Sequence, residues 1–123
     1  MSELVQDFFE SMLELLPQTY EAYCDCVKKN GEVLETVIIE DVFMPEILRL
    51  LSEDKETEKL RVIFEYIERV IAEDIHIRDI LSITMMEILG NDKGILKVAR
   101  QYLGTNSLKL QVSNFRDVLP FSL

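Results

Sequence analysis

Few residues in this 123-residue chain have the chemistry for catalysis or metal binding, and their spacing limits what they can do. His76 is the one histidine, so a Cys-His or Ser-His catalytic pair would have to use it. It stands at a helix start after Glu73 and Asp74, and no G-x-S-x-G elbow frames a serine. A connector histidine beside acids is the simpler reading. Cys24 and Cys26 bracket Asp25. On a helix, residues two apart point about 200° away from each other, so this pair cannot share a metal ion. The further cysteines and histidines of a zinc site are missing, and Cys26 reads as a small apolar filler. The string LGNDKG lacks the length and the Lys-Ser/Thr pair of a phosphate-binding P-loop. Neither a metal nor a cofactor is expected.

Carboxylates are plentiful. Glu32, Glu35, Glu40, Asp41 and Glu46 gather in one segment. A di-metal site in a helical bundle draws Glu-x-x-His motifs from two helices, and the chain has none. Glu32, Glu35, Glu40 and Asp41 therefore read as a solvated acidic face, a candidate surface for a partner. Glu87, inside SITMMEIL (82–89), is different. On a wheel started at His76 with about 100° per residue, Ile80 falls near 40°, Ile83 near 340° and Glu87 near 20°. That puts an anion inside the apolar arc, which is costly unless it is paired. Three roles stay open for this semi-buried carboxylate. It can clamp the backbone N–H groups of a neighbouring helix start, or Arg100. It can reach water past Gly90 at the helix end. It can be a working carboxylate with a raised pKa.

The elements that must position these groups are helical almost throughout. Val5, Phe8, Phe9, Met12 and Leu16 form one stripe, with Ser2 as N-cap and Pro17 as boundary. A second helix carries Tyr20, Tyr23 and Val27 and stops at Asn30-Gly31. In the third segment Val33, Leu34, Val37, Ile38 and Val42 keep helical spacing. Pro45 must break or kink that segment and open a short helix over 45–51. After the polar connector SEDKETEK, the stripe Leu60, Ile63, Phe64, Ile67, Val70 and Ile71 marks the clearest helix, with Glu65, Glu68 and Arg69 on its polar face. The helix holding SITMMEIL ends at Gly90, and Met85 and Met86 read as packing residues that can also offer an adaptable contact surface. Asn91 or Asp92 caps the next helix, which Gly104 closes. Segment 105–119 is ambiguous. Leu108, Val112, Phe115 and Leu119 are helically spaced, whereas Leu108, Leu110 and Val112 alternate like a strand. Helix is the preferred reading, ended by Pro120. The expectation is one all-α domain over 1–123, with six to seven short antiparallel helices, stackable as hairpins.

Composition narrows the function. With 23 acidic and 13 basic residues the net charge is −10, which argues against nucleic acid or an anionic membrane as partner. A basic protein suits it better. No segment reaches the roughly 18 apolar residues of a membrane span, and the acidic N-terminal stretch does not read as a secretory signal. Two cysteines make no disulfide framework, so a cytoplasmic location with reduced thiols is expected.

The stretch DILSITMMEILGNDKGILKVARQYLGTNSLKL resembles the C-terminal half of an uncharacterised family of small bacterial all-helical proteins. Met86-Glu87-Ile88-Leu89 stands where that family ends a helix in a hydrophobic-x-Glu-x-Leu pattern. Tyr102-Leu103-Gly104-Thr105 stands at its Tyr-Leu/Met-Gly turn, with Thr105 in place of an expected proline. Such proteins look like the immunity partners of bacterial polymorphic toxins. The resemblance implies a non-enzymatic acidic module that covers a basic toxin domain, with Glu87 as a family position. Two other classes remain open: a structural or regulatory homodimer formed through the first helix, where Phe8 and Phe9 are adjacent, and a small carboxylate enzyme.

Overall fold

In the computed structural model, residues 2–118 are described, and side-chain surroundings are described for residues 2–113. Helix α1 (Glu3–Leu15) begins as expected, with the Ser2 hydroxyl accepting from the Val5 N–H at 3.2 Å. Its stripe Val5, Phe8, Phe9 and Met12 is buried, together with Leu16. A 3-10 turn at Pro17–Thr19 leads into α2 (Tyr20–Asn30), which ends at Gly31 with φ 75°. That left-handed backbone suits glycine because it has no Cβ. Tyr20 is exposed, and α2 leans on the core through half-buried Tyr23, Cys26 and Val27.

The third segment does not break at Pro45. Helix α3 (Glu35–Ile38) passes through a π turn (Ile39–Phe43) straight into α4 (Met44–Glu53). The π turn carries one more residue than an α turn, which rotates α4 by about 100° relative to α3. The rotation swings Met44, Ile47 and Leu51 onto the side already taken by Ile38 and Val42, and all five are buried. Pro45, in the first turn of α4, needs no hydrogen bond from its nitrogen there.

Helix α5 (Thr57–Glu73) is the longest rod among the described residues, and its stripe Leu60, Ile63, Phe64, Ile67 and Ile71 is buried. Asp74 caps α6 (Ile75–Ile83), its Oδ1 accepting from the Ile77 N–H at 2.9 Å. Helix α7 (Met85–Gly90) comes after a break at Thr84. Asp92 caps α8 (Lys93–Ala99) through the Ile95 N–H at 3.0 Å. Segment 105–118 is the helix α9 (Thr105–Val118) and not a strand. Leu119 and Pro120, placed at its end by the sequence pattern, lie outside the described residues. Helix α5 packs on α1, α6 and α9 and so sits at the centre of the arrangement.

Counting α3–α4 and α6–α7 as one bent rod each gives seven rods among the described residues, a compact all-α domain around one apolar cluster. Phe8 and Phe9 belong to that cluster at 3% and 1% exposure, so the first-helix dimer face drawn from them is not available. Met85 and Met86 are equally buried and serve packing. Helix α9 turns inward on Ser107 and Gln111, while Leu108 is 37% exposed. The Gln111 Oε1 atom is buried without a hydrogen-bond partner. A buried unpartnered acceptor costs about 1–3 kcal/mol, so Gln111→Met, which keeps the length and removes the polar atoms, should stabilise the fold by about 1 kcal/mol. A urea midpoint that falls in the variant contradicts this account.

Candidate functional site

The residues singled out as chemical do not converge. His76 is exposed and lies 3.3 Å from Glu35, its Nε2 facing Glu35 Oε1 across from α6 to α3. No hydroxyl or thiol is bonded to the His76 ring among the described residues. Cys24 and Cys26 are free thiols on α2, exposed and half-buried respectively. No group of three His, Cys, Asp or Glu residues is close enough to hold a metal ion among the described residues.

The four carboxylates of the acidic face divide. Glu32 sits exposed in the turn after α2, and Glu40 and Asp41 are exposed side by side on the π turn. Glu35 turns away from them toward His76 and is partly covered. Glu46, from the same sequence cluster, is tied to Arg49 and Gln18. Its pKa lies below the usual 4.5, chiefly because the Arg49 guanidinium bonds to it; the Gln18 bond adds to that pull, and partial burial opposes it.

Glu87 is exposed, which corrects its placement among apolar neighbours. The wheel assumed one unbroken helix centred between Ile80 and Ile83. The buried stripe is instead Ile77, Ile80, Leu81 and Thr84, and Ile83 is 57% exposed. At Thr84 the backbone leaves the helix, at φ −116° and ψ −82°, and the hydroxyl donates to the Ile80 carbonyl at 2.8 Å. Such back-bonding bends helices. After the break Met85, Met86 and Leu89 face inward and Glu87 faces water.

A carboxylate clamp on a neighbouring helix start does exist, and Glu68 makes it. Its Oε2 accepts from the Asn106 N–H at 2.9 Å, and its Oε1 accepts from the Ser107 N–H at 2.9 Å and the Ser107 hydroxyl at 2.8 Å. The first N–H groups of a helix have no partner within it and present its positive end, so α9 is capped by a side chain from α5. Partial burial alone would raise the Glu68 pKa. The bonds from Asn106 and Ser107 together outweigh it and bring the carboxyl below its usual 4.5. Gly104 makes the fit possible, because a Cβ there would come within 2.6 Å of the Glu68 carboxyl carbon. The sequence signal for this clamp was weak: Glu68 stands on the polar arc of α5, and only a glycine before a helix start hinted at close approach.

With this geometry established, the comparisons place the chain. It belongs to the family described as a domain of unknown function (DUF7674), which matches residues 9–117. The family match thus spans both halves of the chain, beyond the C-terminal stretch that carried the resemblance. No curated protein and no solved structure matches it. No helix among the described residues is long and apolar enough to cross a membrane.

Two outcomes test the clamp. Glu68→Ala should cost about 2–3 kcal/mol in urea unfolding, because it strips three charge-assisted bonds from partly buried donors, whereas Glu87→Ala should stay within about 0.5 kcal/mol of the parent. Gly104→Ala should also destabilise, since the clash is with the clamp itself. The folded pKa of Glu68 lies below its unfolded value. Its stabilisation is therefore fully present above about pH 4.5 and is lost as pH falls through the lowered folded value. The parent should lose stability more steeply than Glu68→Gln over that acid range. Parallel pH curves would remove the clamp from the account.

Proposed function

We propose that this chain is a non-enzymatic, acidic protein-binding module that neutralises a basic partner, in the manner of an immunity protein covering a toxin. One observation carries the reading: a net charge of −10 on a helical scaffold whose exposed carboxylates are largely left over from internal bonding. Glu32, Glu40, Asp41 and Glu87 form no hydrogen bond or ion pair among the described residues. Surplus charge of one sign repels itself, and a partner of opposite sign relieves that repulsion while gaining speed of association. The resemblance of residues 79–110 to small bacterial helical proteins of immunity type points the same way. A nuclease with a basic cleft is a fitting partner, because the acidic surface presents charge of the kind its substrate would.

The test is association with the product of the gene beside this one, measured by stopped flow. Raising the ionic strength from about 0.01 to 0.15 M shortens the Debye length from about 30 to 8 Å, so the association rate should fall by more than about tenfold. A rate indifferent to salt overturns the reading. So does substrate turnover by the isolated chain that disappears in His76→Ala or Glu87→Gln.

A further inference from the structure

We infer that the docking site for such a partner is the groove between α1 and the α5–α6 corner, and that it takes a basic amphipathic segment. The inference rests on the protein-binding reading above and names the face. The groove measures about 330 Å³ and its floor is apolar: Phe8 from α1, Tyr66 and Val70 from α5, and Ile77 from α6. Phe8 and Tyr66 stack with ring centres 5.9 Å apart, so the floor is rigid. The rim carries Leu4 and three acids, Asp7, Glu73 and Asp74, and no base.

Each feature bears on the occupant. Leu4 is 58% exposed and Ile75, beside the rim acids in sequence, is 67% exposed. Large apolar side chains left open next to a groove are what a partner's apolar anchors cover. Asp7 and Glu73 form no ion pair among the described residues, and their charges both bear on the Tyr66 hydroxyl, which puts them on opposite sides of one ring. Asp74 already accepts the Ile77 N–H, so it adds charge without a free bonding role. The nearest base, Arg69, lies over the Tyr66 ring at 5.6 Å and lines the neighbouring cleft on the side of Ser11 and Glu14. A metal ion does not fit, because these acids do not form a metal-holding group. Apolar anchors flanked by Lys or Arg fit both the floor and the rim, the pattern of an amphipathic helix lying in a groove.

The experiment is an NMR titration of the isotope-labelled full chain with a synthetic amphipathic Leu/Lys helix, with a Leu/Glu helix of the same pattern as control. The expected result is amide shifts confined to residues 4–8 and 66–77 with the Leu/Lys peptide alone. Affinity should weaken by at least about tenfold in the double variant Asp7→Lys/Glu73→Lys and in Leu4→Ser, with Glu40→Lys/Asp41→Lys unchanged. Leu4 is exposed, so its variant reads the groove without loading the core. Shifts that map to residues 32–41 overturn the groove and leave the acidic-module reading standing. Equal binding of the Leu/Glu peptide overturns the charge match. A dimer by sedimentation that Asp7→Lys/Glu73→Lys dissociates assigns the face to a second copy of the chain and overturns the basic segment. No binding of the Leu/Lys peptide at low salt overturns the groove and its parent reading together.

Discussion

Burial of one stripe of α5 sets the positions of the other helices. Leu60, Ile63, Phe64 and Ile67 retain no exposed surface, and each such side chain contributes about 1.5–3 kcal/mol when taken from water. The stripe fixes the rotation of α5 about its axis. At about 100° per residue, Glu68 then falls about 80° to one side of the stripe and Val70 about 80° to the other. On the Glu68 edge the carboxylate caps α9. On the Val70 edge Tyr66 stacks on Phe8 and seats α1. A polar latch and an aromatic one are thus placed by the same apolar contact, on opposite flanks of one helix.

The latch on α9 also explains which way that helix faces. Its apolar residues Leu108 and Val112 would lead inward if burial alone decided. Three bonds to Glu68 hold the first turn in another rotation, with Ser107 fully buried and Gln111 buried one turn later. Ser107 is compensated by the carboxylate. Gln111 is not, and its orphaned oxygen is a cost of the rotation. Helix α9 is therefore docked by electrostatics at its start and by packing on α5, α6 and α7 along its length.

Element type was readable where period and punctuation agreed. The stripe of α1, the stops at Pro17 and Gly31, and the cap at Asp92 arise from local chemistry, because a cap or a left-handed glycine acts within a few residues. Rotation about a helix axis was readable only while the helix stayed regular. The π turn at Ile39–Phe43 and the break at Thr84 each insert a rotation that a wheel of constant step does not contain. Both errors propagate forward: Pro45 looked like a break, and Glu87 looked buried. The idea of a carboxylate clamping a helix start was sound chemistry assigned to the wrong side chain. The position of Glu68 on a polar arc cannot say that another helix begins opposite it, some 38 residues later.

The division of the carboxylates comes from the same limits of reach. Asp74 and Asp92 are spent on their own helices, Glu68 on α9, and Glu46 and Glu53 on Arg49. Each of these acids has a partner within a few residues or across a packed contact. Asp7, Glu32, Glu40, Asp41 and Glu73 have no base within such reach, and with 13 bases against 23 acids the chain cannot supply one to all. Stability does not require the unpaired acids, since surface pairs contribute about 0–1 kcal/mol at best. What distinguishes Asp7 and Glu73 from the rest is the apolar groove between them. An acid on an open helix face meets only water. Two acids beside Phe8, Tyr66 and Val70 meet a lower local dielectric, where an incoming cation is held more strongly than elsewhere on the same surface.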